Sequence, residues 1–262
     1  MIVGGVDLGS ATAKAVIMKD GDVVGTSIAP SSGHPLEMAK SVMATALEQA
    51  GVPSIDHLEN VVSTGYGRLN IPFASENVSE ITCHAKGAHW MIPTLRTVID
   101  IGGQDCKVIS ISDEGAVREF AMNDRCAAGT GRFFEGIARG LGCGLEGISA
   151  LENQGEEPCT ITNQCSVFAE SEVVTLVNEG TDIRNIISGI NISVAKRLRA
   201  MARRVGVVED VALSGGCSKN QGLVTALGEM LNVSVRDLPH DPQIAGAVGA
   251  ALIAMERLRA EA

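Results

Sequence analysis

The chain has 262 residues, of which 45 % are hydrophobic, and carries a formal net charge of −10 at pH 7. This length allows one large domain or two ordinary ones with a full core, and the negative charge argues against a nucleic-acid partner. The longest apolar stretch, at 244–255, is shorter than the ~20 residues of a membrane span, so no membrane association is expected. No signal-peptide pattern opens the chain, and its seven cysteines are expected to be reduced thiols in a cytoplasmic protein.

The first predicted elements are three strands that begin near the amino terminus and are separated by a glycine turn and by the turn at 20–22. A helix at 35–50 follows, ended by Gly51 and Pro53, then a strand at 61–65 and a helix at 79–91. On that helix Cys83 is interpreted as a packed thiol, and His84 as a capped or exposed imidazole. Further along, helices are predicted at 181–205 (whole or broken), 220–231 and 243–257, with a strand at 211–216. In the last helix, Gly246, Ala247, Gly249 and Ala250 allow very close packing.

A motif near the amino terminus recurs in the middle of the chain. Residues 6–14 (VDLGSATAK) and 99–107 (IDIGGQDCK) carry Asp, Gly and Lys at identical offsets, and each copy leads into an apolar run and a turn. Either copy alone is explained by an ordinary β-hairpin about as well as by a unit of a duplicated fold. The pair predicts a duplicated α/β architecture with one hairpin in each half.

The two glycine turns, at 9–12 and 102–105, predict phosphate chemistry. Backbone N–H groups of such turns can surround phosphate oxygens, and Asp7 and Asp100 at the adjacent strand ends are candidates for holding Mg²⁺. Polar groups that can reach phosphate or attacking water follow in both turns. They are Ser10, Thr12, Gln104 and Asp105. A third loop, at 214–216, has glycines that would let the backbone approach a nucleoside.

Two cysteines, Cys126 and Cys165, each precede a sequence that is typical of a helix start. A helix amino terminus favours thiolates and bound anions. Two thiolates are half of a four-cysteine iron–sulfur shell, and a twofold homodimer would supply the other half. A zinc site formed by Cys126, Cys143, Cys159 and Cys165 is the less favoured alternative, because the sequence has no C-x-x-C pair.

The order of these motifs resembles that of the superfamily of actin, Hsp70 and the sugar kinases. The segments 123–132 (NDRCAAGTGR) and 164–173 (QCSVFAESEV) resemble more narrowly the activators (component A) of 2-hydroxyacyl-CoA dehydratases, in the BadF/BadG/BcrA/BcrD ATPase family. This resemblance implies two ribonuclease-H-like lobes, 1–95 completed by 243–262, and 96–242, with MgATP between them. It also implies a homodimer holding one [4Fe–4S] cluster through Cys126 and Cys165 of each subunit.

The implied activity is ATP hydrolysis that drives an electron from ferredoxin or flavodoxin to an iron–sulfur dehydratase or reductase. The catalytic candidates are Asp7, Asp100, Gln104 and Asp105. The implied ATP contacts are Gly9, Ser10, Ala11, Thr12, Lys14, Gly102, Gly103, Gln104, Lys107, Gly129, Gly131, Gly215, Gly216, Asn220 and Gln243. A small-molecule kinase and an ATP-binding regulatory protein remain as alternatives; neither would use the two cysteine segments for electron transfer.

Overall fold

The structure, a computed structural model, describes residues 1–69, 71–151, 154–162 and 165–261. Within these ranges the chain forms two mixed sheets of five strands each. The strands are β1 (Ile2–Leu8), β2 (Thr12–Lys19), β3 (Asp22–Pro30), β4 (Asn60–Thr64), β5 (Glu76–Asn77), β6 (Thr97–Ile101), β7 (Cys106–Ile111), β8 (Val117–Asn123), β9 (Val211–Ser214) and β10 (Val235–Arg236).

The two sheets have the same topology, as the sequence repeat predicts. The first has the order β3-β2-β1-β4-β5 and the second β10-β9-β6-β7-β8. In each, three consecutive strands pair antiparallel, the next strand pairs parallel with the first of them, and the last strand pairs parallel with that one. Every residue of β6 and β7 is buried, because helices cover both faces of these strands. Burial therefore does not alternate along them as it does in a sheet with one face in solvent.

Helices connect and cover the sheets. They are α1 (Pro35–Ala50), α2 (Glu80–Met91), α3 (Gly131–Gly140), α4 (Leu145–Leu151), α5 (Ser166–Asn178), α6 (Ile183–Val205), α7 (Gln221–Leu231) and α8 (Ala245–Glu261). The predicted bounds of α1 are confirmed. The long helix α6 is unbroken, and it begins two residues later than predicted because the Asp182 side chain accepts a hydrogen bond from Arg184 N and caps it. The last helix begins at Ala245 after a short 3-10 turn.

Small residues bring α8 against both α2 and the first sheet. A Cβ on Gly5 would collide with the Ala247 carbonyl, and one on Gly249 with the Cys83 carbonyl. The close packing predicted for this helix is therefore confirmed. Helix α8 packs on β1 and β4 of the first sheet. The division into lobes 1–95 with 243–262, and 96–242, stays a prediction. Among the described residues, none of the helices combines the length and apolar character that crossing a bilayer requires.

Candidate nucleotide cleft and cysteine site

A cavity of about 930 Å³ lies where the glycine turns of the two sheets face each other. Most of the predicted ATP contacts and all four catalytic candidates line it. These are Asp7, Gly9, Ser10, Ala11, Thr12, Lys14, Asp100, Gly102, Gly103, Gln104, Asp105, Lys107, Gly131, Gly215, Gly216, Asn220 and Gln243. Gly129 is not in the cavity lining; it is buried beside Arg197, whose Cδ lies 3.1 Å from where a Cβ on Gly129 would be.

The repeated Asp and Lys form equivalent cross-strand pairs in the two sheets. Asp7 lies opposite Lys14 in the β1–β2 ladder, and Asp100 lies opposite Lys107 in the β6–β7 ladder. The Lys14 ammonium is 3.2 Å from Asp7 Oδ2, and the Lys107 ammonium is 3.1 Å from Asp100 Oδ2. The duplication therefore extends from topology to the charged floor of the cavity.

The two lysines differ in their surroundings. Lys107 Nζ also lies 3.0 Å from Asp105 Oδ2 and 3.3 Å from Glu80 Oε2, and its side chain is only 1 % exposed. Lys14 is 12 % exposed and is paired with Asp7. Lys14 is consequently the lysine with more freedom to reach a phosphate, whereas Lys107 is committed to neutralising carboxylates.

The pKa values around Lys107 reflect this network. Burial opposes the charged form of Lys107, but the carboxylates of Asp100, Asp105 and Glu80 outweigh it and raise its pKa. Burial likewise favours protonated Asp100, yet His84, Lys107 and the Ser214 hydroxyl together lower its pKa well below the ordinary value. For Glu80, burial is the largest influence and raises the pKa.

The glycine turns have the same internal hydrogen bond and touch each other. Gly9 N donates to Thr12 O at 3.0 Å, and Gly102 N donates to Asp105 O at 2.9 Å. A Cβ on Gly103 would clash with Ala11 and would lie 3.2 Å from Ser10 Oγ. Glycine at 103 therefore lets the two turns meet across the cleft.

The third loop closes the other side of the cavity. Gly215 has φ +84°, which side chains rarely allow, and its N–H donates to Pro242 O at 3.1 Å. Asn220 lines the cavity but also caps α7 and donates to Asn191 Oδ1 at 2.9 Å. Gln243 Oε1 accepts from Lys219 Nζ at 2.8 Å. Gly215, Asn220 and Gln243 thus line the cavity together from neighbouring short segments.

Two functional candidates on α2, Glu80 and His84, were missed by sequence reasoning. Both line the cavity, and His84 Nδ1 lies 3.2 Å from Asp100 Oδ1 and from Ser214 Oγ. The interpretation of His84 as a capped or exposed imidazole is wrong, because the residue is 5 % exposed, whereas the packed Cys83 thiol is confirmed. Their spacing of four residues places both on one helix face and was the available signal.

Cys126 lies in a cysteine loop, residues 124–130, between β8 and α3. The expectation that it directly precedes a helix is wrong: α3 begins only at Gly131. The loop is instead held by side chains, because Asn123 Nδ2 donates to Cys126 O at 2.8 Å and Thr130 Oγ1 donates to Ala127 O at 2.7 Å. Cys126 itself is half-buried and in no disulfide.

Cys165 does directly precede a helix, as predicted. It is the amino-terminal cap residue of α5 and is half-buried. Val167 and Phe168, two and three residues further along the chain, are 64 % and 66 % exposed, so the helix presents apolar surface beside the thiol. Asn163 and Gln164 of this segment lie outside the described residues.

Helix α3 contacts both the cleft and the second cysteine element. Gly131 N donates to Gly102 O and Arg132 N to Gly103 O, each at 2.8 Å. Further along α3, Gly136 packs against the Glu170 carboxylate of α5. Within the described ranges no group of three or more His, Cys, Asp or Glu residues is placed to hold a metal ion, so the four-cysteine zinc alternative is not formed.

Comparison with known proteins places this geometry in a family. The model of the BadF/BadG/BcrA/BcrD ATPase family matches residues 5–254. The chain is 45 % identical over 257 residues to an activator of lactoyl-CoA dehydratase from Anaerotignum propionicum, covering 96 % of each chain.

Solved structures agree with that assignment. The crystal structure of (R)-2-hydroxyglutaryl-CoA dehydratase component A from Acidaminococcus fermentans has a TM-score of 0.94 and 39 % identity, over 99 % of both chains. The activator of 2-hydroxyisocaproyl-CoA dehydratase from Clostridium difficile, with bound ADPNP, has a TM-score of 0.93 and 38 % identity, over 100 % of this chain and 97 % of that one. A likeness in fold alone extends to a ROK family glucokinase from Streptomyces griseus (TM-score 0.57, 14 % identity, 98 % and 100 % covered), which confirms the predicted sugar-kinase type of fold. This chain therefore belongs to the BadF/BadG/BcrA/BcrD ATPase family.

Proposed function

We propose that this protein is an ATP-dependent activator that passes single electrons at low potential to an iron–sulfur dehydratase or reductase. The observation that carries the proposal is the pair of hydrogen bonds from Gly131 and Arg132 to the second glycine turn. They connect the phosphate end of the cleft directly to the segment that follows Cys126. A plain kinase of the same fold has no use for such a connection.

In this proposal the cleft binds MgATP and hydrolyses it. Asp7 and Asp100 would hold Mg²⁺, and one oxygen of each already accepts from Lys14 or Lys107. Lys14 binds phosphate oxygens, and the N–H groups of the two glycine turns surround the rest. Gln104 and Asp105, in the second turn, orient the attacking water. The third loop, with Gln243 and Asn220, contacts the nucleoside.

Cys126 and Cys165 are the ligands we assign to a [4Fe–4S] cluster shared with a second copy of the chain. Two half-buried thiols outside any disulfide suit such a cluster, and the α5 amino terminus adds a positive dipole end next to Cys165. When bound, the cluster supplies one-electron transfer. The exposed Val167 and Phe168 beside Cys165 are apolar surface that a homodimer would bury.

Nucleotide state reaches both cysteines through α3. A shift of the second glycine turn displaces the start of α3, because two backbone hydrogen bonds join them. Thr130 and Asn123 transmit that displacement to the cysteine loop. The contact of Gly136 with Glu170 transmits it to α5 and hence to Cys165. ATP drives the change only to the extent that it binds one arrangement more tightly than the other.

The partners follow from the relatives and from the family resemblance. Relatives are named for activating 2-hydroxyacyl-CoA dehydratases, and a further one is a subunit of benzoyl-CoA reductase. We therefore assign an acceptor of this iron–sulfur class, a ferredoxin or flavodoxin donor, and a cytoplasmic location.

Anaerobic purification tests the proposal. We expect a brown homodimer with about four irons, which loses its iron in Cys126→Ser and in Cys165→Ser. Cys143→Ser, another half-buried cysteine, is the matched control and keeps the cluster. Dithionite-reduced protein mixed with a 2-hydroxyacyl-CoA dehydratase should lose its electron paramagnetic resonance signal only when MgATP is added. Unchanged iron in either ligand variant, or ADP formation that requires a sugar, would refute the assignment.

A further inference from the structure

Helix α2 carries two side chains, Glu80 and His84, that cross from the first half of the molecule to the second. Glu80 Oε2 lies 3.3 Å from Lys107 Nζ. His84 Nδ1 lies 3.2 Å from Asp100 Oδ1 and 3.2 Å from Ser214 Oγ. One helical turn separates the two residues, so a single face of α2 contacts the adjacent strands β6, β7 and β9 of the second sheet.

The His84 ring also stands close to the aspartate of the other repeat. A Cβ on Gly246 would lie 3.0 Å from His84 Nε2 and 2.9 Å from Asp7 Oδ2. The imidazole faces Asp100 through Nδ1, and its Nε2 and Asp7 Oδ2 both border Gly246, where a side chain would meet them. Because the residue is only 5 % exposed, its contacts with the second half have little competition from water.

The contacts engage both oxygens of the Asp100 carboxylate and orient it. Oδ2 accepts from Lys107, and Oδ1 accepts from Ser214 Oγ at 2.7 Å while facing His84. Ser214 in turn immediately precedes Gly215 of the third loop. His84 therefore contacts both the metal-holding candidate and the strand that leads into the nucleoside side of the cavity.

We propose that Glu80 and His84 are positioning residues for ATP hydrolysis: they fasten the second glycine hairpin to α2 and fix the orientation of Asp100. This inference rests on the proposed assignment of the cleft as the ATPase site. His84 touches no reacting atom; it acts through Asp100 and Ser214. Loss of its side chain leaves Asp100 held by Lys107 and Ser214 alone and loosens the contact between the two halves.

The test compares His84→Ala with His84→Asn. The Asn amide can place an N–H donor where Nδ1 lies, so it should restore the contact that Ala removes. We expect His84→Ala to lower kcat for ATP hydrolysis by about 10- to 100-fold, the usual effect of misplacing a catalytic group, with a nearly unchanged KM for MgATP. His84→Asn should recover most of kcat. His89→Asn, on the same helix but outside the cavity lining, is the control and keeps kcat.

Hydrogen exchange separates this inference from the proposed function. In nucleotide-free protein, His84→Ala should speed amide exchange in 97–105 and 211–216, and His89→Asn should not. A wild-type protein without ATPase activity would overturn the proposed function. The hydrogen-exchange result would still decide whether Glu80 and His84 fasten the second glycine hairpin to α2. Exchange equal to that of wild type in His84→Ala, or a His84→Asn kcat as low as that of His84→Ala, overturns the inference.

Discussion

Replacing Lys107 by Met removes an ammonium that three carboxylates share. Glu80, Asp100 and Asp105 lie within 3.3 Å of it, and the Lys107 and Asp100 side chains are 1 % and 3 % exposed. At this degree of burial, water compensates only weakly for the lost charge. Removing one partner of a buried ion pair costs about 3–5 kcal/mol, because the remaining charge is left uncompensated.

The expected effect on thermal stability follows from that free energy. For a chain of this size, each kcal/mol lowers Tm by about 2–4 °C, so Lys107→Met should melt roughly 6–20 °C below the wild type. The raised pKa of Lys107 means that its contribution is fully present below the unfolded value of about 10.4 and is lost only as pH rises through the folded value. The difference in Tm should therefore be the same between about pH 7 and pH 9.

The repeat supplies the matched control. Lys14→Met removes the equivalent lysine, but Lys14 is 12 % exposed and paired with Asp7, so less than half of the loss in Tm is expected. Lys14→Met should instead weaken nucleotide binding more than Lys107→Met does. Scanning calorimetry without nucleotide measures the first effect and titration calorimetry the second. A Lys107→Met protein that melts within about 2 °C of wild type, or a less stable Lys14→Met protein, would refute this reasoning.

Three further predictions concern the cleft, the thiols and the coupling. Seven Asp and Glu residues but three lysines line the cavity, so nucleotide binding should weaken at least about tenfold when EDTA removes Mg²⁺, and equal affinity would contradict the charge argument. Burial raises the pKa of Cys83 to about 12 and that of Cys106 to about 11. In iron-free protein at about pH 8, iodoacetamide should therefore label the half-buried Cys126 and Cys165 but leave Cys83 and Cys106 unlabelled. Mass spectrometry that finds the label on Cys83 and Cys106 instead would contradict this packing. Thr130→Val should bind nucleotide normally but lose the effect of ATP on the rate at which a chelator removes cluster iron. Thr130→Ser keeps the hydroxyl and should retain that effect of ATP. A Thr130→Val protein that still shows the effect would exclude Thr130 from the coupling.

Much of the cleft could be predicted because its signals are local. The Asp, Gly and Lys of each repeat lie within eight residues, so one hairpin fixes the geometry of each set. The identical offsets then predict that the second hairpin repeats the first, and the two sheets do share one topology. Cys165 was placed correctly for the same reason, since a helix start depends on a few adjacent residues.

The sequence-based predictions of a helix directly after Cys126 and of a capped or exposed His84 are wrong because both residues depend on segments that are distant along the chain or on irregular loop contacts. Cys126 precedes a loop held by Asn123 and Thr130, and side-chain bonds of this kind have no periodic pattern. His84 looked like an ordinary helix residue, because its partners Asp100 and Ser214 lie 16 and 130 positions away along the chain.

The sequence by itself predicted the duplicated hairpins and the matching Asp, Gly and Lys of each, because these depend on neighbours along the chain, whereas the two cluster thiols stay a prediction. The tertiary structure alone decided that the two lysines are unequal, that α2 spans both halves through Glu80 and His84, and that α3 joins the cleft to the cysteines. Those properties depend on how much water is excluded and on which chain segments the folded core brings within hydrogen-bonding distance.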